Sequence, residues 1–261
     1  MTSSSEADAR LDIRDKVIVI TGASSGLGRH FALTLSAAGA KVALCARRLP
    51  LLQELQATIG ASGGRAVAVP LDVMDAASVE STFEAVSNAL GAPDVLINNS
   101  GTTVGKAWLE QSEADWDAVL DVNLKGAFLM STAFSRQWKA AARPGAIVNI
   151  ASILGLRQAG GVGPYAVSKS ALIQMTKTMA LELARFGIRV NAIAPGYIET
   201  DINRGFLESA AGLAMLKRIP QRRMGRAEDL DGALRLLVSD ASAYITGIVI
   251  PVDGGHLLST L

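Results

Sequence analysis

The sequence predicts an α/β fold, a three-layer doubly wound parallel sheet of seven strands with helices on both faces. Short apolar, β-branched runs recur along the chain, and such runs are typical of strands that are covered on both faces. Amphipathic helical patterns separate the runs, and strands alternating with helices form parallel sheets through right-handed crossovers. The seven candidate strands are residues 17–20, 42–45, 67–71, 95–97, 147–150, 190–193 and 248–252.

The helical pattern is clear after the third candidate strand. Val79, Phe83, Val86 and Leu90 are spaced four, three and four residues apart, which places them on one face of a helix. The alternation breaks between residues 199 and 220, where we expect the chain to cross the carboxyl edge of the sheet. Ligands bind at that edge in sheets of this kind.

Length and charge favour a single domain that binds a small molecule. The chain has 261 residues, a length that one α/β domain commonly reaches. We assign residues 1–14 to a polar leader and residues 15–261 to the domain. With 25 basic and 24 acidic side chains the formal net charge is +1, and no run of like charges indicates a nucleic-acid or membrane partner.

Cysteine usage and hydropathy indicate the compartment. Cys45 is the only cysteine, so it forms no intrachain disulfide, and its apolar neighbours predict a buried strand position. No apolar stretch reaches the roughly 18 residues that a membrane helix needs, and the leader contains no signal-peptide core. We therefore expect a cytoplasmic protein.

A glycine-rich turn follows the first candidate strand, in the segment 21–28. In a strand-to-helix turn, Gly22 permits the tight bend, Gly26 lets the backbone approach a pyrophosphate, and Gly28 lets the helix pack closely. The helix N-terminus also favours an anion. An ordinary glycine-rich turn is the alternative. The predicted phosphate-binding residues are Gly22, Ser24, Ser25, Gly26, Leu27 and Gly28.

The end of the second strand favours NADP(H) over NAD(H). A carboxylate at this position binds the ribose hydroxyls of NAD, whereas a guanidinium accommodates the 2′-phosphate of NADP. The sequence has Ala46 there, followed by Arg47 and Arg48. The alternative is that both arginines are solvated surface charges.

Tyr165 and Lys169 lie four residues apart at the start of a helical segment, so both side chains lie on one face. A phenol with a pKa of about 10 is a weak acid near neutrality, and we expect the neighbouring ammonium to lower that pKa. Ser152 follows the fifth strand, where its hydroxyl can hold a substrate oxygen. Taken alone, a pair at this spacing is more often a surface pair than a site.

Together these markers resemble the short-chain dehydrogenase/reductase family, in its single-domain branch, from about residue 15 to residue 255. The resemblance implies a Rossmann-type fold and NAD(P)-dependent hydride transfer between a nicotinamide and a carbonyl or secondary alcohol. The markers are the segment 21–28, Asp72, the segment 98–101 (Asn-Asn-Ser-Gly), Asn123, Ser152, Tyr165 with Lys169, and Pro195 with Gly196.

The resemblance also implies roles for individual residues. Asn123 would hold a water that connects Lys169 to solvent, Ser152 would orient the carbonyl, and Tyr165 would protonate its oxygen. Lys169 would also bind the nicotinamide ribose. The other implied cofactor contacts are Asp72 and Val73 at the adenine, Asn99, Ser100 and Gly101 after the fourth strand, Pro195 and Gly196, and Ile198 and Thr200 at the carboxamide. A homotetramer built on the long helices 123–142 and 165–186 and on the carboxyl-terminal strand is also implied.

Within the family, segments 195–201 and 252–255 are most similar to 3-oxoacyl-(acyl-carrier-protein) reductases. Those enzymes dock a carrier protein on basic residues, and one such position is Arg136 here whereas another is Leu181. We expect a compact, uncharged carbonyl substrate; the alternative for residues 206–216 is a packed helix face. The predicted substrate-pocket walls are Ile153, Leu154, Gly160, Gly161, Val162, Tyr197, Phe206, Leu207 and Met215.

The sequence leaves two alternatives to an NADP(H)-dependent reductase. One is an NAD-dependent alcohol dehydrogenase of the same family, and the other is a cofactor-binding regulatory module. Such modules usually lose the tyrosine or the lysine, whereas Tyr165 and Lys169 are both present. Enoyl reduction is disfavoured because enoyl reductases of the superfamily space these two residues more widely. His30 and His256 form no metal pair, so we expect no metal.

Overall fold

The computed structural model describes residues 9–199 and 210–258. It confirms the predicted α/β fold: seven strands form one all-parallel sheet in the order β3-β2-β1-β4-β5-β6-β7. The strands are β1 Val17–Thr21, β2 Lys41–Ala46, β3 Arg65–Pro70, β4 Val95–Asn98, β5 Gly145–Ile150, β6 Ile188–Pro195 and β7 Val249–Val252.

Helices lie between the strands, as the alternating pattern predicts. Val79 and Val86 are buried while Phe83 and Leu90 are partly buried against the same core, so the predicted apolar face is confirmed. The helices are α1 Gly26–Ala37, α2 Leu49–Ala61, α3 Ala76–Leu90, α4 Glu113–Leu120, α5 Gly126–Ala140, α6 Gly163–Leu183, α7 Ala210–Leu216 and α8 Asp231–Val238.

The strands are apolar on both faces because each face packs against a layer of helices. Alternate residues of β1 point in opposite directions: Ile18 and Ile20 join an apolar core with α1, α2 and α8, whereas Val17 and Val19 join a second core with α3 and α5. Each core excludes water from one face of the sheet. This arrangement explains why the strands are continuous apolar runs rather than alternating ones.

The leader assigned to residues 1–14 differs from the structure at its end. Ile13 is fully buried and packs in the core that contains Phe31 and Leu35 of α1. The next turn is also fixed, because the amide of Asp15 donates to the carbonyl of Gly39 at 3.0 Å. Leu11 and Ile13 are too few apolar residues to show a periodicity in this polar segment, so the sequence pattern placed this boundary too late.

The strand order reverses direction between β1 and β4, and the chain leaves these two strands toward opposite sides. Such a switch point opens a crevice at the carboxyl edge of the sheet. The segment 199–220, predicted to cross this edge, contains α7, and residues 200–209 lie outside the described residues. Within residues 9–199 and 210–258, no helix combines the length and hydropathy required to span a bilayer.

Candidate active site

A cleft of about 1020 Å³ lies along the carboxyl edge of the sheet. Loops after β1, β2, β3, β4, β5 and β6 all contribute to it, and so does the start of α6. Its lining brings together most of the predicted site residues, which are Gly22, Ser24, Ser25, Gly26, Leu27, Arg47, Arg48, Asp72, Val73, Asn99, Ser100, Gly101, Ser152, Ile153, Leu154, Val162, Tyr165, Lys169, Pro195, Gly196, Tyr197 and Ile198.

The glycine-rich turn after β1 is shaped by backbone geometry. Gly22 and Gly26 have φ angles of +68° and +53°, in the left-handed region that favours glycine. Gly28 does not line the cleft, but a Cβ atom there would lie 2.4 Å from the carbonyl oxygen of Gly22. The turn therefore holds the first residues of α1 against the end of β1, with open backbone at Gly26.

The N-terminus of α1 faces this turn without a side-chain cap. Ser25 at the N-cap has extended backbone angles and accepts no capping hydrogen bond, which leaves first-turn N–H groups available to an anion. Arg48 supplies a cation at the same place, donating to the hydroxyls of Ser24 at 2.9 Å and Ser25 at 2.8 Å. Arg47 is exposed on the cleft rim. These residues fit a dinucleotide that carries phosphate groups.

The motif after β4 ties that strand to β1. The hydroxyl of Thr21 accepts hydrogen bonds from the amides of Asn99 at 2.9 Å and Ser100 at 3.0 Å. The side-chain amide of Asn99 donates to the carbonyl of Thr21 at 2.9 Å. Asn99 thus fixes the width of the crevice. The serine at position 100 takes part through its backbone, so this contact does not depend on its side chain.

Asp72 and Val73 occupy the loop after β3, at the far end of the cleft from Tyr165. The carboxylate of Asp72 accepts from the amide of Met74 at 3.0 Å, and the amide of Asp72 donates to the hydroxyl of Ser78 at 3.1 Å. Both bonds fix the loop and leave a carboxylate oxygen available. Val73 is buried beside Gly126 of α5, so the loop is anchored to a second helix.

Tyr165 and Lys169 face one another across the first turn of α6. The Nζ atom of Lys169 lies 5.6 Å from the ring centroid of Tyr165, and it donates to the carbonyl of Ile150 at the end of β5 at 2.8 Å. Lys169 is only 4% exposed. A single bond to a neutral carbonyl leaves the other two ammonium protons available to a ligand in the cleft.

Burial controls the proton affinities of this pair. Burial raises the pKa of Tyr165 above its usual value; the Ser152 hydroxyl opposes this shift and Tyr197 adds to it. Burial also lowers the pKa of Lys169 to about 8. The expectation that Lys169 lowers the pKa of Tyr165 is therefore wrong for the protein alone, because desolvation disfavours both charged forms. At neutral pH the phenol holds its proton and can act as an acid.

Asn123 lies behind the cleft wall in a π-helical turn, Asp121–Lys125, that joins α4 to α5. Its side-chain oxygen accepts from the amide of Thr102 at 2.7 Å, and its side-chain amide donates to the carbonyl of Thr102 at 2.9 Å and the hydroxyl of Ser168 at 3.0 Å. Ser168 in turn donates to the carbonyl of Tyr165 at 2.7 Å. Asn123 therefore braces the first turn of α6. Its predicted water-holding role stays a prediction.

The substrate side of the cleft is less fully predicted. Ile153, Leu154, Val162 and Tyr197 line it, whereas Thr200, Phe206 and Leu207 lie outside the described residues. Gly160, Gly161 and Met215 do not contribute to the cleft lining, and the carbonyl of Gly161 instead accepts from the amide of Lys106 at 3.0 Å. Sequence reasoning missed several lining residues that carry no motif signal: Met74, Thr102, Thr103, Ala118 and Val122.

The two histidines have separate structural settings. The Nε2 atom of His30 lies 2.8 Å from the carboxylate of Asp231, which joins α1 to α8. His256 is buried in the turn after β7. Across residues 9–199 and 210–258, no group of three or more histidine, cysteine or acidic side chains is arranged to hold a metal ion.

Comparisons with known proteins agree with this site. A family model described as Enoyl-(Acyl carrier protein) reductase matches residues 22–256. The chain belongs to the short-chain dehydrogenase/reductase family. It is an NAD(P)-dependent oxidoreductase that acts on CH–OH donors and transfers hydride between a nicotinamide and a carbonyl or alcohol. The cofactor supplies the hydride, and the chain supplies orientation and proton transfer.

Three relatives illustrate the range of the family. The 3-oxoacyl-(acyl-carrier-protein) reductase FabG of Escherichia coli (strain K12) is 36% identical over 94% of this chain and 98% of its own length. FabG of Thermotoga maritima is 40% identical over 94% of this chain and 99% of its own. The crystal structure of a gluconate 5-dehydrogenase from Burkholderia cenocepacia J2315 in complex with NADP and tartrate has a TM-score of 0.92 and 32% identity, covering 96% of this chain and 98% of that one.

Proposed function

We propose that the protein is an NADP(H)-dependent carbonyl reductase whose acid is Tyr165, acting on a ketone such as a 3-oxoacyl thioester. The observation that carries the cofactor choice is the position of Arg48. Its guanidinium lies at the N-terminus of α1 on the hydroxyls of Ser24 and Ser25, and Ala46 places no carboxylate there. A second phosphate on the adenosine ribose would therefore meet a cation and no opposing anion.

The remaining cofactor contacts follow the cleft from one end to the other. Asp72 and Val73 would bind the adenine, and the turn from Gly22 to Gly28 would bind the pyrophosphate. Thr200 belongs to the same proposal on sequence grounds alone. The residues proposed for the nicotinamide half are Asn99, Ser100, Gly101, Tyr165, Lys169, Pro195, Gly196, Ile198 and Thr200.

The proton step follows from the geometry at the start of α6. The Ser152 hydroxyl accepts from the amide of Leu154 at 3.1 Å and pairs with the Tyr165 hydroxyl. A substrate carbonyl that enters between the two hydroxyls would accept a hydrogen bond from Ser152. Tyr165 gives its proton to that oxygen as hydride reaches the carbon, since its raised pKa keeps the proton in place until then. Lys169 stabilises the resulting phenolate from within the same buried turn.

The substrate end favours an uncharged carbonyl. Among the described residues that line the cleft, the charged side chains apart from Lys169 are Arg47, Arg48 and Asp72. All three lie in the half formed by the loops after β1, β2, β3 and β4, which we call the cofactor half; the rest is the substrate half. Ile153, Leu154 and Val162 offer an apolar wall to an acyl or alkyl group. The E. coli and Thermotoga maritima relatives are named 3-oxoacyl reductases, which supports a 3-oxoacyl thioester as the substrate to test first.

A titration with NADPH and NADH tests the cofactor proposal. The purified protein should bind NADPH at least tenfold more tightly than NADH, and Arg48→Ala should remove about 1.5–3 kcal/mol of NADPH binding, or roughly 10- to 100-fold, with NADH unchanged. Arg47→Ala should act in the same direction. Arg65→Ala is the matched control, because Arg65 is exposed at the opposite edge of the sheet. A preference for NADH would instead support the NAD-dependent alcohol dehydrogenase.

The homotetramer is part of the same proposal. Phe128 of α5 and Leu181 of α6 are 50% and 83% exposed, and apolar side chains on such helices are often covered by a second subunit. Gel filtration should give a mass near four chains, and a monomer would contradict the proposal. The cytoplasmic location stays a prediction.

A further inference from the structure

A hydrogen bond joins the loop after β5 to the turn after β7, across 99 residues of chain. The Nη1 atom of Arg157 donates to the carbonyl of His256 at 2.6 Å. The amide of Arg157 donates to the carbonyl of Ile153 at 2.9 Å, so the arginine extends a turn that begins at Ser152. The loop carrying the serine of the site is thereby tied to the C-terminal part of the domain.

The turn that carries His256 is itself rigid. The carboxylate of Asp253 accepts from the amides of Gly255 at 2.8 Å and Leu257 at 2.7 Å. The imidazole is only 4% exposed and lies against the ring of Tyr197, with 5.6 Å between the ring centroids. Arg157 and Asp253 therefore fix the backbone of this turn, and His256 provides a packed surface for Tyr197.

Tyr197 lines the cleft from the loop after β6. It follows β6, and its carbonyl accepts from the amide of Gly225 at 2.9 Å. Its side chain lines the same cleft as Ser152 and Tyr165 and is near enough to affect the proton affinity of Tyr165. Its hydroxyl makes no hydrogen bond with any residue in 9–199 or 210–258. A hydroxyl on a packed ring, in the same cleft lining as Ile153, Leu154 and Val162, is available to a polar group of a ligand.

We infer that Tyr197 is a specificity-determining residue that hydrogen-bonds a second oxygen of the substrate, one or two carbons from the reacting carbonyl, and that His256 and Arg157 are its positioning residues. The inference rests on the proposed function. It names the substrate class as ketones with a neighbouring carbonyl or hydroxyl. Tyr197 takes no part in hydride or proton transfer, since Tyr165 supplies the proton.

The test compares two ketones of equal chain length with NADPH as reductant. Ethyl 3-oxobutanoate carries a second carbonyl at the required distance, and 2-heptanone does not. Wild-type protein should prefer the ester in kcat/KM. Tyr197→Phe removes one oxygen atom and should lower kcat/KM for the ester roughly tenfold while changing that for 2-heptanone less than about twofold.

The positioning residues are tested by the same ratio of kcat/KM values. His256→Ala should lose the preference for the ester mainly through a higher KM, and His256→Phe should restore it because an aromatic ring again packs on Tyr197. Arg157→Met should lose part of the preference and Arg157→Lys should keep more of it. NADPH affinity and the circular dichroism spectrum serve as controls, since none of these residues is assigned to cofactor binding.

Distinct results would overturn the inference and the proposed function. Equal losses on both ketones in Tyr197→Phe, or no loss on either, would overturn the role of Tyr197. Failure of His256→Phe to restore a preference lost in His256→Ala would overturn the positioning role. If wild-type protein binds NADPH but reduces neither ketone nor a 3-oxoacyl thioester, the proposed function fails, and the inference fails with it. If His256→Ala does not fold, Tyr197→Phe still decides.

Discussion

The two halves of the cleft are built by different means. In the cofactor half, neighbouring strands of the sheet hold one another directly, as when the side-chain hydroxyl of Thr21, at the end of β1, accepts from the amides of Asn99 and Ser100 after β4. Beside the substrate half, the contact joins loops of strands that are not neighbours in the sheet, as when the Arg157 side chain, after β5, donates to the backbone carbonyl of His256, after β7. The first kind of contact requires particular residue types at particular strand ends. The second depends on which loops the fold brings together, so it leaves no local pattern in the sequence.

Tyr165 lies where the two halves meet, and changing it should have the largest effect. Tyr165→Phe removes the acid while keeping the ring that packs beside Lys169. We expect kcat to fall by a factor of about 10² to 10⁴, whereas NADPH affinity should fall by less than about tenfold because only one proposed cofactor contact is lost. Steady-state rates and an NADPH titration check this. Turnover at the wild-type rate would mean that another group supplies the proton, and turnover absent in the wild type as well would favour the regulatory module.

Within the cofactor half, Gly28→Ala should have the next largest effect. The added Cβ would lie 2.4 Å from the carbonyl oxygen of Gly22 and 2.5 Å from the side-chain nitrogen of Asn99. Since neither neighbour can move freely, we expect a loss of about 1–3 kcal/mol in the free energy of unfolding and more than tenfold weaker NADPH binding. Chemical denaturation and a cofactor titration measure the two effects.

Gly60→Ala is the matched control for this substitution. Gly60 lies in α2, and a Cβ there would meet nothing within 4 Å. Because alanine favours helix more than glycine does, the control should be neutral or stabilised by up to about 1 kcal/mol. Equal losses of stability in both variants would show that the effect of Gly28→Ala does not come from crowding in the tight turn after β1.

The pH dependence of reduction and of oxidation tests the pKa of Tyr165, which lies where the two halves of the cleft meet. Burial raises the pKa of Tyr165, so the neutral phenol predominates through neutral pH. Reduction uses the neutral phenol and the charged Lys169, so it should be level from about pH 6 to 7 and fall as Lys169 loses its proton near pH 8. Oxidation needs the phenolate and should rise up to tenfold per pH unit from about pH 6 to 8. Initial rates in both directions with one alcohol–ketone pair measure this. An oxidation rate independent of pH would contradict the raised pKa.

The smallest effect is expected at a residue predicted for the substrate half. Met215 does not line the cleft formed by the described residues, whereas Ile153 does and is buried. Met215→Ala should change kcat/KM by less than about twofold, and Ile153→Ala should lower it several-fold. A larger effect at Met215 than at Ile153 would reverse this assignment of the substrate wall.

The fold, and the residues that line the cleft after β1, β2, β3 and β4, could be predicted from the sequence because both depend on local patterns. Apolar runs identified all seven strands, and the spacing of Gly22, Gly26 and Gly28 identified a turn whose geometry admits few other residues. The substrate half was predicted incompletely. The contact of His256 with Tyr197 joins residues 59 positions apart through a buried turn, and neither residue belongs to a motif that indicates such a contact.

The pKa shifts of Tyr165 and Lys169 could not be predicted from the spacing of the two residues. A separation of four residues places Tyr165 and Lys169 on one face, but the sequence does not say how much water reaches them. Burial sets the pKa of both groups, and burial depends on the loops packed around α6. The sign of a pKa shift therefore required the tertiary structure, even though the identity of the pair did not.

Because of the π-helical turn at Asp121–Lys125, the number of residues in this helix determines whether Asn123 reaches the site. There the amide of Gly126 bonds to the carbonyl of Asp121, five residues back, so the helix from Glu113 to Ala140 contains one residue more than regular α-helical bonding would use. Deleting one residue would turn one part against the other by about 100°. Either Asn123 would leave Thr102, or Phe134 and Trp138 would leave the core. An insertion of a single residue thus lets one helix serve the core and the site.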